Sequence, residues 1–249
     1  MRPVSVANLM TPFANGLGSI VAQHRSLSAP VTDLLSVAVC GVYAIQAAQA
    51  VFWGVPSVFE ATNYVYLRAP WLAWPLSPLL HGGLAHVVPN VVTLFLFGRI
   101  AEAHLPRRRF AAMAFVAAAG SIAALAGWSV IFAAEPHVAV YGISGVVFAA
   151  AGFAAAHFPG HDRVTDLELL AVLFGLCAVA LVGVQALAAL LLRSPATINV
   201  GHAVGLLVGL GTAAVSRDCP DSLDRGGSEP NVCDGSAPWA CSGSNREDK

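Results

Sequence analysis

The sequence predicts an all-α polytopic membrane protein, and its composition carries that prediction. Hydrophobic residues make up 57% of the 249 residues and charged residues 11%, whereas about a quarter of a typical soluble domain is charged. The charges are also unevenly placed, because long internal segments contain none and the segment 217–249 contains many. A net charge of −1 gives no electrostatic basis for binding nucleic acid, so no partner of that class is expected.

Six apolar runs are each long enough to cross a bilayer, which takes about 20 residues of α-helix. They form a membrane domain at 31–216, between a leader at 1–30 and a polar tail at 217–249. The leader lacks the continuous apolar core of a cleaved signal peptide, and the composition of the tail predicts disorder. The six spans are predicted at Val31–Trp53, Leu80–Ala103, Phe110–Ala134, Val138–Phe158, Leu167–Leu192 and Thr197–Ser216.

The arginines predict the orientation of these spans. Positive residues concentrate on the cytoplasmic side of membrane proteins, and six spans put both termini on one side. With both termini in the cytoplasm, the outer flanks hold only Arg68 and Arg193. We therefore expect a multi-pass plasma-membrane protein with cytoplasmic N- and C-termini. The arginines of the inner flanks are Arg25, Arg99, Arg107, Arg108, Arg109, Arg163 and Arg217.

The connection between the first two spans, residues 54–79, is rich in aromatic side chains. Aromatic residues at this density favour the membrane–water interface. Two interpretations stay open, a simple interfacial anchor and a loop that lies partly in the outer leaflet. The aromatic residues are Phe59, Tyr64, Tyr66, Trp71 and Trp74.

Three polar side chains share one predicted depth inside the spans. Ser144 lies about six residues into the fourth span, and His86 and His202 lie equally deep in the second and sixth. At 1.5 Å per residue, each lies roughly 8–9 Å below the outer surface. Polar groups inside a membrane are rare and expensive, so a shared depth indicates one site that opens to the outer side. His81 is predicted to lie at its mouth, where a histidine is typically solvated.

Helical spacing arranges further residues on matching faces. His86 and Asn90 are four residues apart and share one face, where they either serve a site or satisfy each other across helices. Two stripes of small residues let the fourth and sixth spans approach closely. The stripes are Gly145, Ala149 and Gly152 on the fourth span, and Gly205 and Gly209 beside His202 on the sixth.

A serine within reach of a histidine can form a nucleophile and its base. Ser144 alone is more simply explained by helix packing, but a histidine at the same depth favours catalysis. The Ser144 backbone N–H, together with His86 and Asn90, supplies donors for an oxyanion. Because no Asp or Glu lies in the outer half of any span, the pair is predicted to be a dyad. The Phe148 ring, one turn below Ser144, is expected to pack on the imidazole.

These residues resemble the motifs of the rhomboid family of intramembrane serine proteases. His81-x4-His86-x3-Asn90 resembles the family's second-span motif, and Gly142-Ile143-Ser144-Gly145 resembles its nucleophile motif. His202-x2-Gly205-x3-Gly209 resembles its sixth-span motif. The resemblance covers residues 31–216 and implies a six-helix rhomboid-like bundle in the lipid bilayer. It also implies cleavage of transmembrane protein substrates without a metal or cofactor.

By the same resemblance, Ser144 is the nucleophile and His202 is the general base and later the general acid. His86, Asn90 and the Ser144 N–H would stabilise the oxyanion, and Glu102 resembles a polar structural position. Gly205 and Gly209 would pack helices. The residues that would support the active site are His81, Gly142, Gly145, Phe148 and Asn199.

Three positions depart from the family pattern. Many members carry Tyr one turn after the serine, where Phe148 keeps the ring and loses the hydroxyl. A Trp-Arg pair often found in the first loop is missing. Pro89 precedes Asn90 directly, and we expect it to bend the helix. None of these departures removes a catalytic atom.

Three other functions compete with proteolysis. A catalytically inactive rhomboid-like protein that binds membrane clients typically lacks the Ser or the His, and this chain has both. A channel or transporter predicts polar residues at several depths, whereas here they concentrate in the outer third. A metal site of His81, His86 and His202 is disfavoured because His81 is predicted to be too shallow to share a centre, and the five cysteines form no zinc-type cluster.

Overall fold

Helices form every regular element in the part of the chain that the computed structural model describes. That part comprises residues 18–55, 57–69, 71, 75–132, 141–159, 161, 164–192 and 199–217. The all-α prediction is confirmed for these residues. Residues 1–17 of the predicted leader and the predicted tail from 218 onward lie outside the described residues, so the boundaries of those two segments stay predictions.

Seven helices follow a helical segment at 18–26 in the described residues. They are α1 Pro30–Trp53, α2 Val58–Arg68, α3 Leu84–Ala103, α4 Arg107–Phe132, α5 Ser144–His157, α6 Asp166–Leu191 and α7 Val200–Arg217. Pro30 opens α1, where its missing N–H would have no intrahelical partner. Gly54 ends α1 in a left-handed conformation with a φ of 66°. Thr165 and Glu168 form a reciprocal capping box that starts α6.

α3 is one apolar helix in three pieces. It is α-helical over Leu84–Thr93, widens to a π-helix over Leu94–Gly98 and returns to an α-helix over Arg99–Ala103. The helix continues through Pro89, whose ring removes an N–H and crowds the carbonyl of the preceding turn. The departure from α geometry comes one turn later, in the π segment.

Four described helices, α1, α3, α4 and α6, are long and apolar enough to span a bilayer. α5 and α7 are apolar but shorter. The 14 residues of α5 extend about 21 Å, which is less than the roughly 30 Å of a hydrocarbon core. α5 is nevertheless compatible with membrane depth, because it packs mainly on α7, α6 and α4 and protein rather than lipid surrounds it.

The outer faces of α1, α4 and α6 carry exposed large apolar side chains. Phe52 of α1 is 87% exposed, Phe115 of α4 is 73% exposed and Leu190 of α6 is 75% exposed. An apolar surface of this extent is stable when lipid covers it. The surface and the four long apolar helices together identify an all-α polytopic membrane protein.

α5 and α7 cross with their backbones in contact. A methyl group added to Gly205 would collide with the backbone of Gly145, and one added to Gly209 would collide with the carbonyl group of Ala149. The two stripes of small residues therefore face each other. Their contact sets the distance between the N-terminal ends of the two helices.

A buried carboxylate fixes the N-terminus of α1 to α3. Glu102 is 3% exposed and accepts hydrogen bonds from the backbone N–H groups of Val31 at 2.9 Å and Thr32 at 2.7 Å. These N–H groups have no intrahelical partner, and the positive end of the helix dipole favours an anion. Glu102 therefore has a structural role that agrees with the one its position predicts.

Three predicted spans begin later than their apolar runs. α5 begins at Ser144 and not at Val138, because residues 141–143 are not helical. α3 and α7 also begin about one turn later than predicted, at Leu84 and Val200. Ser144 is therefore the first residue of its helix, and His86 and His202 are the third residues of theirs, rather than the sixth. Their shared depth below the outer surface stays a prediction. Apolar composition marks burial, and it does not distinguish a helix from a buried loop that leads into one.

The glycine contact between α5 and α7 predicts unequal effects of two identical substitutions. Gly205→Ala should destabilise the protein by roughly 1–3 kcal/mol, because the new methyl group overpacks the crossing. Gly211→Ala on the same helix is the control, since a methyl group there meets no atom within 4 Å. It should be neutral or stabilising by up to about 1 kcal/mol. Thermal unfolding midpoints in detergent micelles check this, and equal midpoints would contradict the close crossing.

Candidate active site

Ser144 is the first residue of α5 and follows a loop with an unusual backbone conformation. Gly142 has a φ of 120°, which a residue with a side chain rarely adopts. Its N–H donates to the Ser77 carbonyl oxygen at 2.9 Å and ties the loop to the segment before α3. Ile143 is 1% exposed and anchors the turn in the core. The loop therefore fixes the start of α5, and with it the position of the serine.

His86 and Asn90 of α3 lie against the same loop. A methyl group added to Gly142 would lie 2.9 Å from the His86 ring and 3.9 Å from the Asn90 amide nitrogen. Asn90 is 8% exposed, so its amide is held inside the protein. The helix face that carries both residues therefore points at the loop of Ser144.

The His202 imidazole lies flat on the Phe148 ring. The ring centroids are 4.1 Å apart and the planes differ by 9°. Phe148 is one helical turn after Ser144, so the contact places the imidazole along the face of α5 that carries the serine. The stacking matches the packing predicted from the one-turn spacing, and it depends on the ring and not on a tyrosine hydroxyl.

Asn199 holds both the backbone and the ring of His202. Its Oδ1 accepts the His202 backbone N–H at 3.2 Å, which caps the start of α7. Its Nδ2 lies 3.3 Å from His202 Nε2. The backbone N–H of Asn199 donates to Gln185 Oε1 of α6 at 3.3 Å. Asn199 therefore connects the histidine to α6.

This arrangement defines the tautomer of His202. For the cap, Asn199 Oδ1 must face the backbone N–H of His202. The NH2 group of the same amide then faces the His202 ring. Because an amide NH2 group only donates, Nε2 accepts, and the neutral ring carries its proton on Nδ1. His202 Nδ1 is buried and has no hydrogen-bond partner among the described residues. Among the described residues, an amide rather than a carboxylate therefore orients the imidazole.

The N-terminal ends of three helices converge on this cluster. Ser144 is the first residue of α5, and His86 and His202 are the third residues of α3 and α7. The start of a helix presents N–H groups without intrahelical partners and the positive end of its dipole. Negative charge that develops near Ser144 would be stabilised by this field.

Ser121 of α4 is a supporting residue that the sequence analysis missed. Its hydroxyl donates to the Gly201 carbonyl oxygen at 2.7 Å, and a methyl group on Gly145 would collide with it. Ser121 therefore locks α4 against both α5 and α7 beside the site. A polar residue inside an apolar run was the available signal, and the same signal marks Gln185 in α6.

His81 is fully buried, so the prediction that it lies solvated at the mouth of the site is wrong. It is 0% exposed, its Nδ1 lies 3.1 Å from the Leu79 carbonyl oxygen, and its ring centroid lies 4.9 Å from that of His86. Its backbone N–H donates to Gln46 Oε1, and its carbonyl accepts from Gln46 Nε2, both at 3.1 Å. Gln46 also donates to Thr62 of α2. These contacts hold His81 inside the protein, with its ring against the ring of His86.

The fold and the cluster together define a polytopic helical membrane protein with a serine, two histidines and an asparagine at converging helix ends. This combination suits acyl transfer, which needs a nucleophile, a base and oxyanion donors. A Rhomboid domain model matches residues 68–218, more than half of the 249 residues. The chain belongs to the rhomboid family. No curated protein matches the chain significantly.

The two contacts of Asn199 can be separated by substitution. Asn199→Ala removes the cap and the donor to the ring, and it should lower the free energy of unfolding by about 1 kcal/mol. Asn199→Asp keeps an acceptor for the cap and should stay close to wild type in stability. Both variants should change the ¹⁵N chemical shift of His202 Nε2, which is assigned by its loss in His202→Ala. An unchanged shift in both variants would refute the contact between the amide and the ring.

Proposed function

We propose that the chain is an intramembrane serine endopeptidase, a hydrolase that cleaves transmembrane protein substrates through a dyad of Ser144 and His202. The observation that carries this proposal is the stacking of His202 on Phe148, one turn from Ser144, at a helix crossing closed by Gly145 and Gly205. Membership of the rhomboid family supports it. No metal or cofactor enters the proposed chemistry.

In the first step, the Ser144 oxygen attacks the carbonyl carbon of the scissile peptide bond. The hydroxyl proton moves to His202 Nε2, the unprotonated nitrogen of the resting tautomer. Nε2 thereby exchanges the hydrogen bond from Asn199 for the proton of the serine. The carbonyl oxygen becomes an oxyanion, and the proposed donors to it are the Ser144 N–H, His86 and the Asn90 amide.

In the second step, His202 returns this proton to the leaving amine, and an acyl-enzyme remains on Ser144. A water molecule then attacks the ester carbon while His202 accepts a proton from it. His202 finally protonates the Ser144 oxygen, which releases the new carboxyl terminus. Phe148 keeps the imidazole plane constant through both transfers, so the same ring acts as base and acid.

The proposed substrates are transmembrane segments of other proteins, which reach the site from the bilayer in an extended form. We also retain the proposed orientation, with both termini in the cytoplasm of a plasma-membrane protein and the site open to the outer side. The arginine distribution supports this orientation. The supporting roles proposed for His81, Gly142, Gly145 and Asn199 rest on their contacts with the cluster.

The competing proposal is a catalytically inactive rhomboid-like protein that binds membrane clients. It would need the same helix crossing but no reactive serine. The two proposals differ in two measurable properties, which are cleavage of a transmembrane substrate and covalent reaction of Ser144 with a fluorophosphonate.

Ser144→Ala should abolish cleavage of a reconstituted transmembrane substrate, with a fall in kcat of at least about 10³-fold, because the nucleophile is gone. A fluorophosphonate probe should label the wild type on Ser144 and leave the variant unlabelled. Ser216→Ala is the control, because the hydroxyl of Ser216 bonds to the Thr212 carbonyl at the other end of α7. An active Ser144→Ala variant would exclude Ser144 as the nucleophile, whereas a wild type that neither cleaves nor reacts would favour the inactive client-binding protein.

Asn90→Ala should lower kcat by roughly 10²- to 10³-fold and leave KM nearly unchanged, since an oxyanion donor acts mainly in the transition state. Fluorophosphonate labelling in the same samples reports whether Ser144 is still reactive. A rise in KM at constant kcat would assign Asn90 to substrate binding instead. Circular dichroism and the unfolding midpoint of Asn90→Ala check that the lower kcat does not come from loss of the fold.

A further inference from the structure

The segment before α3, residues 77–83, contacts the loop that leads into α5. The Ser77 carbonyl oxygen accepts a hydrogen bond from the N–H of Gly142 at 2.9 Å. A methyl group added to Gly82 would lie 3.1 Å from the ring of Tyr141, in the same loop. The position of this segment is therefore linked to the position of the candidate nucleophile.

The same segment also contacts a proposed oxyanion donor. The ring of His81 packs edge-on against the ring of His86, with their centroids 4.9 Å apart. Residues 77–83 are not helical, so their backbone groups lack the partners that a helix supplies. Because His81 is 0% exposed, water does not reach its N–H or its carbonyl group. Both groups need partners from another part of the protein.

Gln46 of α1 supplies both partners. Its Oε1 accepts from the His81 N–H, and its Nε2 donates to the His81 carbonyl oxygen, both at 3.1 Å. Nε2 donates a second hydrogen bond to Thr62 Oγ1, whose hydroxyl in turn donates to the Val58 carbonyl oxygen at 2.8 Å. The oxygen and both N–H groups of the Gln46 amide are therefore in use, and its orientation is defined.

Packing alone does not account for an amide at this position. Gln46 lies two turns before the end of α1 and is 4% exposed, inside a candidate membrane span. Helices in lipid pack on one another through small and apolar residues, whereas polar residues inside spans typically have a function. The two hydrogen bonds to His81 add something that apolar packing does not supply, which is a fixed place for one residue.

We infer that Gln46 is a positioning residue for the proposed hydrolysis and that it acts on His86 through His81. One amide holds both backbone groups of His81, so the His81 ring has a fixed place from which it supports the ring of His86. A donor stabilises an oxyanion best when it is already aimed at the developing charge. The inference rests on the proposed function, because it assigns a role in that same site.

The first test is kinetic and uses the full chain with a reconstituted transmembrane substrate. Gln46→Met replaces the amide with an apolar side chain of similar length. It should lower kcat roughly 10- to 100-fold and leave KM within about 2-fold, because a misplaced oxyanion donor weakens binding of the transition state alone. An unchanged kcat in an enzyme that cleaves the substrate would overturn the inference.

Thr62→Val is the matched control, because it removes one hydrogen bond of Gln46 and leaves both bonds to His81. Each variant leaves a buried polar group without its partner, so each should lower the unfolding midpoint in detergent by about 2–10 °C. Only Gln46→Met should lower kcat, and Thr62→Val should stay within about 2-fold of the wild type. Equal losses of kcat would overturn the inference, since reduced stability alone would explain them.

A double-mutant cycle checks whether Gln46 acts through His86. In a His86→Ala background, Gln46→Met should change kcat less than about 2-fold, because the donor that it positions is already gone. Single-turnover cleavage measures these slow variants. A full effect of Gln46→Met in that background would overturn the inference and show that Gln46 acts on another part of the site.

A spectroscopic measurement separates this inference from the proposed function. The ¹⁵N chemical shifts of the His86 ring, assigned by their loss in His86→Ala, should change in Gln46→Met and stay at wild-type values in Thr62→Val. Unchanged shifts in Gln46→Met would overturn the inference. This readout needs no cleavage, so a wild type that neither cleaves nor reacts would contradict the proposed function alone. Gln46→Asn, whose amide is one methylene shorter, replaces Gln46→Met if that variant does not fold.

Discussion

The backbone contact between α5 and α7 is the constraint on which the rest of the candidate site depends. Gly205 contacts the backbone of Gly145. The two helices are therefore closer together than they could be if these two residues had side chains. Without a hydrophobic driving force between helices in lipid, van der Waals contact and hydrogen bonds hold such a crossing. Ser121 adds a hydrogen bond from α4 to α7 at the same place. The separation of the helix starts that carry Ser144 and His202 is therefore set by the backbone.

A second constraint is the loop before α5. A helix that began earlier would place a regular helical turn where the loop now folds against α3. Instead, Gly142 adopts a conformation suited to glycine and its N–H bonds to Ser77. The loop brings His86 and Asn90 to the start of α5. Non-helical backbone is tolerated inside a membrane only where protein surrounds it. The same surrounding protein allows α5 to be shorter than a bilayer is thick.

Much of the fold and the identity of the cluster could be predicted from the sequence. Long apolar runs require helices in a bilayer, because every backbone group must be satisfied inside the segment. His86 and Asn90 share one helix face because they are four residues apart, and Phe148 shares a face with Ser144 for the same reason. The burial of His81 could not be predicted in this way, because its partner Gln46 comes from α1 and is remote in the sequence. The bridge from Gln185 to Asn199 is non-local for the same reason.

The sequence by itself determined the helical membrane class, the polar residues of the cluster and the small-residue stripes, since these depend on composition and on a period of 3.6 residues. Only the tertiary structure decided where α3, α5 and α7 begin, which side of Asn199 faces the imidazole and that His81 lies inside the protein. These features depend on contacts between segments far apart in the chain, and local periodicity carries no information about such contacts.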